Sequence, residues 1–426
     1  MLRRQNMTDR ILIVAHGHPS VNKGGAELAA YQMFKEYEKR GHDVKFLARS
    51  GESPHGGAAF SSRDTDKEIL FHTTHDDFFL FSNLKTRYLW QEFRDFLQRF
   101  KPDVVHFHHY FLLGVEMMLE VKNTLPNCKV VLTLHEYLAI CHNKGLMIKK
   151  STNQLCKRAT VKDCHLCFPD QSTADFFMRE MYLKRMLSEA DHFISPSFFL
   201  KQRYVDWGIH EDKISVIENG QDTATVDVSN QVYSQGKKIR LAFFGQINQY
   251  KGVDILLEAL GMLDSKTRKK VIVELHGANL ELQPKSFIKR IKSLLKEYAK
   301  NVTFHGAYDP EDLGKLMSKT DWLVVPSIWW ENSPLVIQEA FNYKVPVITS
   351  DVGGMAEKVE HNLTGLHFRV GKAKELAETI QRIIEEPKLR AELASNIVSP
   401  PSIESTANQT IAVYHDINKH IGRASQ

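Results

Sequence analysis

Short β-branched runs alternate with helical stretches along almost the whole chain, and the alternation starts afresh near the middle. The first half runs "RILIVAHG", "GAELAAYQMFKEYEKRG" and "HDVKFLARS", with later strand-like runs "DVVHFHH", "KVVLTLHE", "DHFISPS" and "ISVIENG". The second half opens on "KKIRLAFFG" and "GVDILLEALGML", followed by "KVIVELHG", a basic helix near 285–299, "NVTFHG", "DWLVVPS" and "VPVITSDVG". Apolar runs of this length between helices are buried strands of a parallel sheet wound with helices. A chain of 426 residues exceeds what one core usually serves, so two domains are expected. Residues 221–238 are polar and without helical period, which reads as a linker. The expected fold class is therefore α/β, with doubly wound parallel-sheet domains at 1–220 and 239–400 facing a shared cleft. The last stretch, 401–426, reads as a helix packing back on one half, the N-terminal one by preference. Ligands of such sheets bind beyond the carboxyl ends of the strands, so the residues after each run carry the functional argument.

Charge narrows the partners. With 56 basic and 51 acidic residues the net charge is only +5, too balanced for a nucleic-acid protein and compatible with a phosphate-bearing partner. No apolar stretch approaches the roughly 18 residues of a membrane span, and "ILIVA" is too short for a signal-peptide core. A cytoplasmic protein with reduced thiols is expected. The segment "FFMREMYLKRML", 176–187, mixes large apolar residues with Arg179, Lys184 and Arg185. It reads either as a peripheral contact at the inner membrane face or as a helix packed on its own sheet.

Several strand ends carry chemistry. Gly24 and Gly25 precede the first helix, where backbone N–H groups can approach a phosphate or sugar; an ordinary turn is the alternative. His135 and Glu136 end "LTLHE", a histidine there either bonding a substrate or being satisfied by neighbouring backbone, and "HFHH" brings His106, His108 and His109 along a strand of which only one face reaches the cleft. "FFGQINQYKG" turns at Gly245 toward Lys251 and Gly252, a cation beside helix-start N–H groups and so a place for a diphosphate, with a solvated lysine as the alternative. In "WWENSPLVIQEAF", Asn332 or Ser333 is expected to cap a helix starting at Pro334, and Glu339 shares a face with Leu335. A partly buried carboxylate there calls for donors, and ribose hydroxyls would supply them; a nearby Arg or Lys, or solvent, is the alternative. Asp64 and Asp66 form an Asp-x-Asp in a polar stretch, read as a solvated loop.

These residues resemble the retaining glycosyltransferases of family 4, the glycogen-synthase-like group 1 enzymes, which have the GT-B fold of two Rossmann-like domains. The resemblance covers most of the chain. It rests on "GGAE", "LTLHE", "ENG" at 218–220, "FFGQINQYKG", "VPVITSDVGGMAE", "TGL", and above all the Glu-x7-Glu pattern from Glu331 to Glu339. It implies an acceptor-binding N-terminal domain and a donor-binding C-terminal one. Lys251 would contact the donor diphosphate, with Gly245 and Gln246 in the same loop. Glu339 would hold the ribose, and the loop of Glu331, Asn332, Ser333, Pro334 and Leu335 would contact the donor sugar. His135 would lie near the reacting sugar, catalytic with Glu331, and Gly25 near the phosphates or the acceptor. Many members carry arginine where this chain has Gln246, which puts more of the diphosphate on Lys251.

The implied reaction is transfer of a hexose-type sugar from a nucleotide-diphosphate sugar to a glycan or lipid-linked acceptor, as in cell-surface polysaccharide synthesis. Anomeric configuration is retained, and a lysine with helix N-termini stabilises the leaving group without a catalytic cofactor or metal. A GT-B nucleotide-sugar epimerase and a non-catalytic nucleotide-sugar binding protein are the alternatives. Cys141, Cys156, Cys164 and Cys167 cluster in an insertion at about 138–170. They read as a structural zinc site, with His142 and His165 as substitute ligands, or as reduced buried thiols. Cys128 stands apart.

Overall fold

The structure is a computed structural model that describes residues 9–21, 24–51, 58–73, 77–83, 87–221 and 238–421. The chain divides into two compact units, one formed by Met1–Gly220 with Ser402–Gln426 and the other by Gln221–Pro401. Of the 221–238 linker, residues 222–237 lie outside the described residues.

The first unit holds an eight-stranded sheet of β1 (Arg10–Ala15), β2 (Asp43–Ser50), β3 (Phe60–Ser62), β4 (Glu68–His72), β5 (Val104–Phe107), β6 (Lys129–Thr133), β7 (His192–Ser195) and β8 (Ile214–Val216). Their spatial order is β3-β4-β2-β1-β5-β6-β7-β8. Every pairing is parallel except β3 with β4. Ile11, Leu12, Ile13 and Val14 have no exposed surface, as expected of a strand covered on both faces. The chain builds outward from β1 to one side, then crosses back to β5 and builds to the other. The order therefore reverses between β1 and β5, the switch point at which doubly wound sheets bind ligands.

The second unit repeats the scheme with six parallel strands, β9 (Ile239–Phe244), β10 (Val271–His276), β11 (Val302–Gly306), β12 (Trp322–Val325), β13 (Val347–Ser350) and β14 (Gly365–Phe368). Its order, β11-β10-β9-β12-β13-β14, reverses between β9 and β12. One apolar cluster packs the helices Val253–Met262, Lys285–Glu297 and Ala373–Glu385 against one face. Met317, Ile337, Phe341 and Met355 lead the cluster on the other.

The last helix, Ile403–Ile421, belongs to the first unit. Ala407, Tyr414 and Ile417 are buried in the same cluster as Ile11, Phe34 and Phe46. Thr406 donates to the Glu218 carbonyl at 2.9 Å, and Arg40 bonds Asn408 and the Glu404 carbonyl. A side chain at Gly220 would collide with Ile403, 2.5 Å from its Cα, so only glycine lets the two segments approach this closely.

Candidate functional site

In the second unit the switch point is built by the turn after β9 and the loop after β12. Gly252, at φ 69°, starts the helix Val253–Met262, and a Cβ there would stand 1.9 Å from the Pro326 carbonyl oxygen. That close approach, with the Ile328 N–H donating to the Tyr250 carbonyl at 2.8 Å, fastens the Lys251 turn to the end of β12. Lys251 Nζ consequently lies 2.6 Å from Glu331 Oε1, and the same oxygen accepts from Ser327 Oγ and Trp329 Nε1, each at 2.8 Å. Glu331 is buried, so its charge needs all three donors. Gly354 closes the loop from the other side, donating to the Glu331 carbonyl at 2.6 Å where a Cβ would strike Asn332.

The helix carrying Glu339 begins one residue later than expected. It runs Leu335–Asn342 with Pro334 itself at the cap position, and neither Asn332 nor Ser333 caps it. Ser333 Oγ is left buried without a partner among the described residues. Glu339 accepts no hydrogen bond among the described residues. Burial pushes its carboxyl up to about 7; burial, and then the charge of Glu339, raises Tyr308 and Tyr343. Gly245, at φ 138°, is held by the His276 carbonyl, whereas Gln246 is exposed. The structure thus brings Lys251, Glu331 and the Asn332–Leu335 loop together, with Glu339 on the following helix.

Sequence reasoning missed the rings beside this site. Phe244, His276 and His305 stack at the ends of β9, β10 and β11, with centroids 4.7 and 4.4 Å apart and planes within 9° and 4°. Among the described residues only Glu274, His276 and His305 bring three potential metal-ligating atoms within 4.8 Å of one another. The imidazole planes are parallel, so their lone pairs run side by side instead of converging, which suits stacking and not coordination.

The first unit's switch point has a different chemistry. His16 and His18 follow β1; His108 and His109 follow β5, which ends at Phe107, so these two histidines leave the strand that was expected to carry them. His106 remains inside it, bonded to Tyr414 Oη at 2.6 Å and Thr133 Oγ1 at 2.7 Å. His108 Nδ1 lies 3.1 Å from His135 Nε2. Burial and then the charge of His16 lower His135 to about 4, against the opposing pull of Glu27. Burial pushes Glu136 up to about 8, against the Leu138 N–H and Arg179, so it is largely protonated at neutral pH. His16 Nε2 is 3.1 Å from Glu27 Oε1, a pair not singled out from the sequence although "HGH" and "GGAE" contain it. The Glu27 carboxylate sits over Gly24, so a carboxylate occupies the start of the helix where Gly25 was expected to approach a phosphate.

The remaining expectations fall away from both switch points. Asp64 and Asp66 are exposed, beside Arg63 and Lys45. Arg179 is buried, bonded to the carbonyls of Phe79, Leu138 and Ala139, and so does not belong to a surface face. Lys184 and Arg185 pair with Glu180 and Glu189, while Phe177, Met178 and Met181 are exposed on the helix Thr173–Leu187. No described helix is long and apolar enough to cross a membrane. Cys141, Cys156, Cys164 and Cys167 are neighbouring free thiols, and burial with the Cys141 and Cys156 sulfurs pushes Cys164 up to about 12. Among the described residues no three of their sulfurs lie within 4.8 Å of one another. Tetrahedral zinc would hold them at about 3.8 Å, so the expected site is not preassembled. His142 instead contacts the rings of Phe79 and Phe168, and His165 Nδ1 bonds the Gln171 carbonyl.

Two switch points, one with a lysine, a glycine turn and two carboxylates eight residues apart, invite comparison with known proteins. The profile of Glycosyltransferase Family 4 matches residues 23–225, and that of Glycosyl transferases group 1 matches residues 227–398. The chain belongs to the group 1, family 4 glycosyltransferases. Among curated relatives of this family, a Klebsiella pneumoniae "uncharacterized 41.2 kDa protein in cps region" is 30% identical over 230 residues, 51% of this chain and 60% of that one. A Rhodococcus jostii D-inositol 3-phosphate glycosyltransferase is 26% identical over 249 residues, 56% of this chain and 54% of that one. The chain thus spans little more than half the length of these relatives. Among solved structures, Anabaena HepE in complex with UDP matches with TM-score 0.64 and 18% identity, covering 97% of this chain and all of that one. Sucrose-phosphate synthase from Thermosynechococcus elongatus matches with TM-score 0.71 and 19% identity over 97% and 100% of the two chains. These two likenesses establish the GT-B fold.

Proposed function

We propose that this glycosyltransferase moves a hexose-type sugar from a nucleoside-diphosphate sugar to a hydroxyl of a glycan or lipid-linked acceptor, with retention of configuration, in the assembly of a cell-surface polysaccharide. The observation that carries the reading is the β9/β12 switch point. There Lys251 and Glu331 are joined at 2.6 Å, and the carboxyl of Glu339, without a hydrogen-bond partner among the described residues, stands on the next helix. Breaking a sugar–phosphate bond leaves negative charge on the departing diphosphate. Lys251 and the backbone N–H groups at the start of the helix Val253–Met262 supply the positive charge that stabilises it. Glu331 aims the ammonium and contacts the sugar. Glu339 takes the ribose hydroxyls as the donors it lacks. His135 is proposed to lie near the reacting sugar and to work as a neutral imidazole, since its pKa is lowered to about 4. The complex of Anabaena HepE with UDP supports a nucleotide donor. The enzyme is proposed to work in the cytoplasm, meeting a lipid-linked acceptor at the membrane through Phe177, Met178 and Met181.

Thermal shift with UDP, GDP and ADP, followed by their sugars and then by acceptor trials, tests this. One nucleoside diphosphate should raise Tm by several degrees, and its sugar should be turned over only when an acceptor is present. Stabilisation by none of them would sink the donor assignment. Donor conversion without an acceptor would favour an epimerase instead.

A further inference from the structure

Strands β5 and β6 are parallel neighbours in the first unit, and the chain leaves them at adjacent ends, with His108 directly after Phe107 and His135 shortly after Thr133. The two imidazoles meet there. His108 Nδ1 lies 3.1 Å from His135 Nε2, a hydrogen-bond distance, and the ring planes are 22° apart. His108 is 4% exposed, whereas His135 keeps part of its surface open. Burial, then the charges of His106, His135 and His109, hold His108 well below the ordinary histidine range, and His135 is lowered to about 4. Each ring is therefore neutral at neutral pH and carries one proton. A bond between two neutral imidazoles needs an N–H on one side and a lone pair on the other, so two arrangements exist. If His135 Nε2 donates, the His108 proton must sit on Nε2, which is buried without a partner among the described residues. That arrangement buries an orphaned N–H, which folded proteins avoid more strictly than an unpaired lone pair. If His108 Nδ1 donates, its Nε2 holds only a lone pair, and the His135 proton is displaced to Nδ1. His106, the next ring along, has both nitrogens engaged elsewhere, Nδ1 with Tyr414 Oη and Nε2 with Thr133 Oγ1.

We propose that His108 is a positioning residue for His135: it donates from Nδ1 to His135 Nε2, holds that ring, and fixes it in the Nδ1–H tautomer, the reverse of the form a free histidine prefers in water. The bond at one ring nitrogen decides which nitrogen carries the proton. Every contact that His135 makes through Nδ1 is then made as a donor, and its one lone pair is already engaged. His135 can hydrogen-bond an oxygen of a ligand and cannot take a proton from one. Near the reacting sugar it therefore acts by donating to an oxygen, and it is excluded as the base that receives the acceptor's proton. That placement near the sugar rests on the glycosyl-transfer reading, while the tautomer rests on the two rings alone.

The test is a long-range proton–nitrogen correlation spectrum of the imidazoles in the full chain, labelled on histidine nitrogen and held at neutral pH without nucleotide or acceptor. The His135 signals are those missing from His135→Gln. The wild type should show His135 with a protonated Nδ1 and a bare Nε2. His108→Phe keeps a ring and loses the donor, so it should move His135 toward the Nε2–H form. In turnover the same variant should lower kcat by about tenfold or more while donor KM changes less than about twofold. His108→Asn, whose amide nitrogen can stand near the lost Nδ1, should keep the Nδ1–H tautomer and most of kcat. An Nε2–H form of His135 in the wild type overturns the proposal, as does an unchanged tautomer in folded His108→Phe. If His108→Phe does not fold, the wild-type spectrum alone still decides. Nucleotide binding in the second unit is measured separately by thermal shift. Its failure would remove the donor reading and leave the tautomer result standing.

Discussion

The two switch points of this molecule are built on the same topology and filled with opposite chemistry. At β9/β12 a lysine paired with the buried Glu331 lies beside a helix start, and the carboxyl of Glu339 on the next helix has no hydrogen-bond partner among the described residues. At β1/β5 the helix start is already covered by Glu27, and the surrounding groups are imidazoles with lowered pKa and the protonated carboxyl of Glu136. A doubly wound sheet thus fixes where a ligand binds, and the few residues after the strands decide which charge it carries.

The comparison breaks first at Lys251. Lys251→Ala should lower kcat/KM by about 100- to 1,000-fold, because it removes the cation from the leaving group and leaves Glu331 buried without its ion pair. A loss under about tenfold would mean that the diphosphate is held elsewhere. Glu339→Gln comes next, with donor affinity falling about 10- to 100-fold as charge-assisted bonds to the ribose are lost.

The same residue gives the pH dependence. Its folded pKa of about 7 exceeds the ordinary 4.5, so the unliganded protein holds a proton there across that window. Charging it in place is unfavourable, so its contribution to stability is present at low pH and lost as pH rises toward 7. Ribose hydroxyls favour the charged form, so nucleotide affinity should move the other way, rising with pH up to about 7 by no more than about tenfold per unit. Titration calorimetry at several pH values should show this slope in the wild type and a flat line in Glu339→Gln.

Smaller effects sharpen the contrast from the first unit. Tyr414→Phe should cost about 1–2 kcal/mol in denaturant unfolding, through loss of the bond to His106, with nucleotide affinity unchanged because Tyr414 lies in the other unit. Altered nucleotide affinity would show that the last helix matters to donor binding. The smallest change is expected from chelation. With Lys251 and helix N–H groups carrying the leaving-group charge, EDTA should leave turnover within about twofold. With no three cysteine sulfurs within 4.8 Å among the described residues, it should leave Tm unmoved as well. A drop in Tm with release of zinc would show that the four thiols close on metal.

Much of the second unit's site was legible because its parts are local. "NQYKG" marks a strand-to-helix turn, and the spacing from Glu331 to Glu339 is read along a single segment. The helix starts one residue later than expected, with Pro334 at the cap position. The first unit's site was less legible. Its His16–Glu27 pair straddles a strand end and a helix start, and nothing in either motif announces that one faces the other. The cysteine spacing likewise suggested a metal that the positions of the sulfurs do not assemble.

By itself the sequence determined the class of fold and the repetition of that fold, and it marked the strand ends where the candidate residues stand. Periodicity and turn residues act within a few positions, and those features need nothing more. Tertiary structure alone decided where each strand order reverses, that the last helix packs on the first unit through Tyr414, that Lys251 meets a carboxylate 80 residues away, and that Glu27 covers a helix start. Pairing, burial and the pKa changes they cause are set by which distant segments pack together, and that is where the two sites acquired their different charges.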